Sequence, residues 1–306
     1  MVSDLPIEGG IVMDIDDKEF QNKVLTDIQS EIIRYYNEKN IQYKNPKKPE
    51  NTILDFFSYL YRLIPTVKRN VHYSEELMLK IKRKEISLEH VEILKKFKSA
   101  FKEGKDMNIF LSNNTKNAQA TDFLQYTWSL FHLHMSNKFV DDKSQMKNNR
   151  SDTQLLCIID DRDVYFVDVI PHPKTSEDYF DINFLRIIKN NGWMDKIGFF
   201  EIEGMILGSM EHKITNPGDI FRLYSEGSIN ICFEFDGKGF CCFKPMNSIR
   251  RPSDATQRLI NLNKNIKDLC GYKDAYRGFC LESDNQGRLF GLVKLENNGI
   301  KYRKIF

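Results

Sequence analysis

Two stretches decide how this chain is read: TDFLQYTWSLFHLHM (residues 121–135) and, after a polar linker, QLLCIIDDRDVYFVDVIPHP (residues 154–173). Thr121 or Asp122 caps a short helix through Trp128, and LFHLHM then alternates large apolar residues with histidine, the pattern of a strand. QLLCIID and VYFVDVI flank Asp160-Asp161-Arg162-Asp163 and read as a hairpin whose apolar content suits the middle of a sheet. Side chains two apart on a strand share a face, so His132 and His134 address one site, and Asp168 shares its parity with His172. The following SEDYFDINFLRIIKNNGW is amphipathic, with Phe180, Phe184, Ile187 and Ile188 on one side, and is expected to cover the sheet.

Upstream, residues 17–39 place Phe20, Val24, Ile28, Ile32 and Tyr35 at helical spacing, with Asp16 or Asp17 as cap. TILDFFSYLYRLI is a second, largely apolar helix ended by Pro65. TVKRNVHY is extended. Ser74 and Ser87 cap two further helices, the second stopped by Gly104. Downstream, Asn216 caps a short helix with Pro217 in its first turn. SINICFEF and GFCCFKP pair across Asp236-Gly237, Ser253 caps an amphipathic helix, and three strands follow, two of them joined at Asn297-Asn298-Gly299. The expected fold class is α+β. A helical N-terminal region (1–112) precedes a central mixed or antiparallel sheet with a covering helix (113–205) and a β-rich C-terminal region (206–306), the last either separate or an extension of the middle sheet.

Composition bounds the function. With 306 residues, 41% hydrophobic and 12% aromatic, the chain can bury more than one core. No run approaches the ~18 apolar residues of a membrane span, and the acidic N-terminal stretch is unlike a signal peptide. A cytoplasmic protein without a membrane partner is the expectation. The six cysteines show no C-x-x-C pair and are read as buried free thiols. G-x-S-x-G, H-E-x-x-H and Walker A sequences are absent, against the commonest hydrolase, metalloprotease and nucleotide-hydrolase classes. Net charge is only +2, but residues 66–105 carry eleven Lys/Arg against six Glu. Lys95, Lys98 and Lys102 share one helix face that could track a nucleic-acid backbone, or simply be solvated.

Three readings of the histidines stand side by side. Imidazoles that titrate near neutral pH, beside a cation, suit metal-free cleavage of a phosphodiester by acid–base catalysis. His132, His134 and His172 would then move protons, with Asp168 nearby and Arg150, Lys143 and Lys147, or Arg162, supplying positive charge. Alternatively, H-x-H plus a histidine from a neighbouring strand holds zinc, with Asp168 as orienter and a water as nucleophile. In the third reading the histidines are structural and the protein is a non-enzymatic protein-interaction or nucleic-acid-binding module. Trp128, Tyr126 and Trp193 read as core anchors rather than base-stacking platforms.

The order of Trp128, His132, His134, a basic loop, Leu155, Leu156, Tyr165, Phe166, Asp168 and His172 resembles a group of uncharacterised bacterial proteins. More remotely it is similar to small ribonuclease toxins of the RelE type. The resemblance covers about residues 105–193 and implies a toxin-like or defence-type endoribonuclease acting on RNA without a metal, with a protein antitoxin or regulator as possible partner.

Overall fold

The computed structural model describes residues 15–44, 48–136, 151–203, 216–227, 231–242, 250–284, 286, 288–296 and 300–306. Its elements run α1 (Ile15–Glu38), α2 (Pro49–Tyr61), β1 (Asn70–Tyr73), α3 (Glu75–Lys82), α4 (Leu88–Glu103), α5 (Phe123–Trp128) and β2 (Leu130–His134). There follow β3 (Thr153–Ile159), β4 (Asp163–Pro171), α6 (Ile182–Asn190), β5 (Phe199–Ile202), α7 (Pro217–Ser225), β6 (Cys232–Phe235) and β7 (Lys238–Cys242). Helix α8 (Ser253–Leu269) and strands β8 (Tyr276–Ser283), β9 (Leu289–Glu296) and β10 (Ile300–Lys304) close the described chain. The fold is α+β.

Local chemistry sets the helix ends. The Ser74 and Ser87 side chains accept from the backbone N–H of Leu77 and His90, and Gly104 ends α4 at φ 71°, a left-handed turn that a Cβ would oppose. Asp122 caps α5 and Asn216 caps α7, whose first residue is Pro217. Ser253 is the first residue of α8 and Pro252 occupies its cap position, so the expected serine cap is displaced by one. The Asn297-Asn298-Gly299 turn lies outside the described residues.

The central sheet has the order β1-β4-β3-β2 and is mixed: β1 runs parallel to β4, with Asn70 beside Asp163, and the other pairings are antiparallel. Each face buries a different set of side chains. Leu133, Leu155, Cys157, Val164 and Phe166 pack against α3 and α4, through Leu77, Leu94, Phe97 and Phe101. Leu130, Leu156, Ile158, Tyr165 and Val167 pack on the other face against Phe184, Leu185 and Ile188 of α6, α7 and the small β5-β7-β6 sheet. Trp128 is fully buried there and donates its indole N–H to Tyr224 Oη at 3.2 Å, a core anchor as expected; Tyr126 is buried as well. Each such large apolar side chain contributes about 2–3 kcal/mol on burial.

The third core joins α1, α2 and α8 to the β10-β9-β8 sheet, with Ile28, Ile32, Phe56, Phe57, Leu262 and Val293 among its residues. The cores therefore cross the boundaries expected from sequence. Helices α1 and α2 belong with residues 253–306, while β1, α3 and α4 complete the central layer. The region from residue 206 is divided in the same way, its β6–β7 hairpin packing on the central layer and its later elements on α1 and α2.

The cysteines depart from expectation at one place. Cys232 and Cys241 face each other across β6 and β7 and are joined as a disulfide, with Cα atoms 4.4 Å apart. Cys157 and Cys242 are buried free thiols, as read from sequence, whereas the free Cys270 and Cys280 are only half-buried. Among the described residues no helix is long and apolar enough to cross a membrane.

Candidate functional site

Strand β2 is an edge of the central sheet, and its alternation sends Leu133 to the α4 side and His132 and His134 to the other. Both histidines line a cavity of about 270 Å³, and His172, just beyond the end of β4, lines it too. The structure thus brings the three histidines to one cavity. The cavity is completed by Tyr179, Gln154, Asp122, Lys174 and Arg62.

His132 is the enclosed member, its side chain 12% exposed. Its Nδ1 is buried without a hydrogen-bond partner, and the nearest acid is Asp122, with Oδ2 4.0 Å away. Burial pushes the His132 pKa below the ordinary imidazole value; Asp122 opposes that shift and a charge on His172 adds to it. The other carboxylate oxygen of Asp122 accepts from Gln125 N–H as the cap of α5, so the helix start fixes where this acid points. The ring of Tyr179 lies against His132, with centroids 4.9 Å apart.

His134 is buried and sits in a frame of its own. Its Nδ1 faces the Ser151 carbonyl at 3.3 Å and the Ser151 N–H at 3.4 Å, and its Nε2 lies 3.5 Å from Gln154 Nε2. Its ring is 5.2 Å from that of His172, tilted by 31°. His172 is exposed at the mouth. Its backbone N–H donates to Asp152 O at 2.7 Å, and its Nδ1 donates to Pro173 O at 2.8 Å, since a carbonyl only accepts. Nε2 is thereby left as the nitrogen available for chemistry.

Asp168 does not join this group. The β3–β4 register slips between Leu156 and Cys157, so that Leu156 pairs with Asp168 and Cys157 with Phe166, leaving Val167 as an extra residue. Asp168 stands directly beside this irregularity, where strict alternation of faces is lost. The Asp168 carboxylate is buried instead against α3, accepting from Lys80 Nζ at 2.8 and 2.7 Å. Arg162 is remote as well, because the nine residues of β4 separate it from His172, about 30 Å of strand. Arg150, Lys143 and Lys147 lie outside the described residues.

The lysines of α4 occupy the opposite layer from the cavity. Lys95 pairs with Glu92 at 2.6 Å, and Lys98 lies over the Tyr73 ring at 5.4 Å from its centroid. Lys102 is exposed in the last turn. The structure thus does not bring this face together with the histidines.

Arg62, Gln154, Tyr179 and Asp122 are cavity residues that sequence reasoning did not assign to the site. Arg62 is 3% exposed and donates to the carbonyls of Asn114, Asn117 and Ala118, while its Nε is buried without a partner. A guanidinium near the end of an apolar helix, where a snorkelling residue is ordinary, carries no local signal of this placement. Tyr179 had one: it precedes Phe180 on the helix expected to cover the sheet, so it must sit beside that face. Among the described residues no three His, Cys, Asp or Glu side chains are grouped to hold a metal ion. Compared with protein-family models, curated proteins and solved structures, the chain matches none.

Proposed function

We propose that this cavity cleaves RNA by metal-independent acid–base catalysis, as a toxin-like or defence-type endoribonuclease. The observation that carries the reading is the opening of two differently placed imidazoles, enclosed His132 and exposed His172, onto one cavity with cationic Lys174 and Arg62 in its lining. His132, held neutral by burial, takes the proton of a ribose 2′-hydroxyl. The 2′-oxygen attacks phosphorus, and the bond to the 5′-oxygen breaks. His172 enters as the imidazolium, its Nδ1–H on Pro173 O, and gives the proton of Nε2 to that leaving oxygen. The products are a 2′,3′-cyclic phosphate and a 5′-hydroxyl, so atoms and protons balance without a co-reactant. Lys174 offsets negative charge on the phosphorane. His134 acts as wall and support for His172 rather than as a proton carrier, because both its ring nitrogens face neighbours.

The test is incubation of the full chain with single-stranded RNA in excess chelator, with mapping of the new ends. Cyclic-phosphate ends in chelator, reduced about 100-fold or more by His132→Asn and by His172→Asn, are expected. Absence of cleavage, cleavage that chelator removes, or cleavage that survives both substitutions overturns the reading. A protein antitoxin belongs to the same proposal and would be sought as a partner that suppresses cleavage.

A further inference from the structure

A larger cavity, about 660 Å³, lies away from the histidines, between the C-terminal ends of α1 and α2, residue 258 of α8 and the β8–β9 hairpin. That volume falls within the roughly 300–1,000 Å³ range of small-ligand sites. Its walls are of two kinds. Leu60, Leu63, Tyr35, Tyr59 and Phe306 supply apolar and aromatic surface, and Lys39, Arg258 and Lys304 supply positive charge.

The cations are the informative part. Arg258 stacks on Phe57, its guanidinium carbon 4.6 Å from the ring centroid, which leaves the N–H edge of the fork open. Lys304 lies over Phe290 at 5.1 Å from its centroid. Among the described residues neither forms a salt bridge, nor does Lys39. Of the two acids of the lining, Asp284 pairs with Arg288 at 2.8 Å and Asp106 accepts from Asn108 at 2.9 and 2.7 Å, both partners lining the cavity too. Burial pushes Arg258 below its ordinary pKa with only Asp254 opposing, so a desolvated cation here lacks a close counter-charge. Three cations exceed what a single carboxylate requires and suit a multiply charged phosphate. Aromatic walls suit a flat heterocycle rather than an alkyl chain.

We propose that this cavity binds a nucleoside phosphate, its base against Tyr59 and Phe306 and its phosphates on Arg258 and Lys304. The site shares only Thr115 with the lining of the histidine cavity and does not depend on the nuclease reading. The test is calorimetric titration of the full chain with ATP at low salt, beside pyrophosphate and adenosine as part-ligands. Saturable 1:1 binding of ATP is expected, tighter than either part-ligand and weakened about tenfold or more by Arg258→Gln and by Lys304→Gln. His132→Asn, in the other cavity, leaves the affinity unchanged. Leu63→Trp, which fills the space, abolishes binding; unfolding of that variant is read from its circular dichroism, and Arg258→Gln then decides alone. No saturable binding, equal binding of pyrophosphate, or affinity insensitive to Arg258→Gln overturns the proposal.

Discussion

Tyr179 donates its phenol hydrogen to Oε1 of Gln154 at 2.6 Å, and this bond orients the wall of the histidine cavity. Burial pushes the Tyr179 pKa up to about 12, so the group is a proton-bearing donor at neutral pH. With Oε1 accepting, Gln154 presents its amide nitrogen to His134 Nε2, and a neutral His134 then carries its proton on Nδ1, toward the Ser151 carbonyl. Removing the phenol oxygen leaves the ring against His132 but frees the amide to turn. Tyr179→Phe is therefore expected to cost about 1 kcal/mol of stability and, on the proposed nuclease reading, to slow cleavage several-fold through misplaced His134 and His172. Thermal melting and cleavage kinetics measured together would show it; an unchanged rate would remove the Tyr179–Gln154 bond from the positioning of the site.

His132 makes the fold pH-dependent in a stated direction. Its folded pKa is depressed, so protonation favours the unfolded chain, whose imidazole titrates near 6.5. The stability conferred by the neutral ring is full above about pH 6.5, declines as pH falls below it, and levels off once pH passes the folded value. The charged groups facing it are Asp122 and His172, with opposite effects. Urea midpoints of the wild type and of His132→Gln between pH 5 and 8 should diverge on the acid side, the wild type being steeper. Parallel curves would place the acid sensitivity elsewhere.

What could be read from the chain beforehand follows from the range of each interaction. Caps at Ser74, Ser87, Asp122 and Asn216 lie within three residues of the groups they bind, and the shared face of His132 and His134 follows from strand period alone. The Asp236-Gly237 turn, with φ 53° and 76°, was legible for the same reason. Its two-residue geometry also sets Phe235 opposite Lys238 and hence Cys232 opposite Cys241, a pairing that no C-x-x-C spacing marks. By contrast, β1 finds β4 some ninety residues on, and α1 meets β8 across more than two hundred. No local pattern specifies such partners. The bulge at Val167 was hidden too, because the apolar run VYFVDVI looks the same with or without a slipped register, and the contact of the adjacent Asp168 with Lys80 of α3 has no local signal either.

The Lys80–Asp168 pair ties α3 to β4. Asp168 is 5% exposed and Lys80 36%, and burial raises the Asp168 pKa against the pull of Lys80. Truncating the lysine leaves a buried carboxylate with only the Val169 N–H to accept from. Lys80→Met is expected to destabilise by about 2 kcal/mol, less than for a fully buried pair because Lys80 is partly solvated. Adding Asp168→Asn should return most of that loss, since a neutral amide costs less to bury. Chemical denaturation of both single variants and the double variant gives the coupling. On the proposed nuclease reading, cleavage by Asp168→Asn should match wild type, as the residue lies outside the histidine cavity; a large loss would return Asp168 to the site.

Gly291 is the position on β9 where the end of the described chain folds back. Ile305 N–H donates to the Gly291 carbonyl at 2.9 Å, which brings Phe306 over the strand. A Cβ on residue 291 would stand 2.5 Å from Phe306 Cε1 and 2.6 and 2.8 Å from two ring atoms of Phe279. Neither ring is free to give way. Phe279 is 9% exposed, and Phe306 packs edge-on against Phe57 at 5.1 Å between centroids. Gly291→Ala is therefore expected to destabilise by about 1–3 kcal/mol through overpacking. Phe306→Leu in the same chain removes the closest clash and should recover part of the loss, although Phe306→Leu alone destabilises by giving up contact with Phe57 and Phe279. That non-additivity is the signature of a steric cause, and urea denaturation of the two single variants and the double variant measures it. If the two effects merely add, the cost at residue 291 comes from the ring of Phe279 or from the backbone and not from the ring of Phe306.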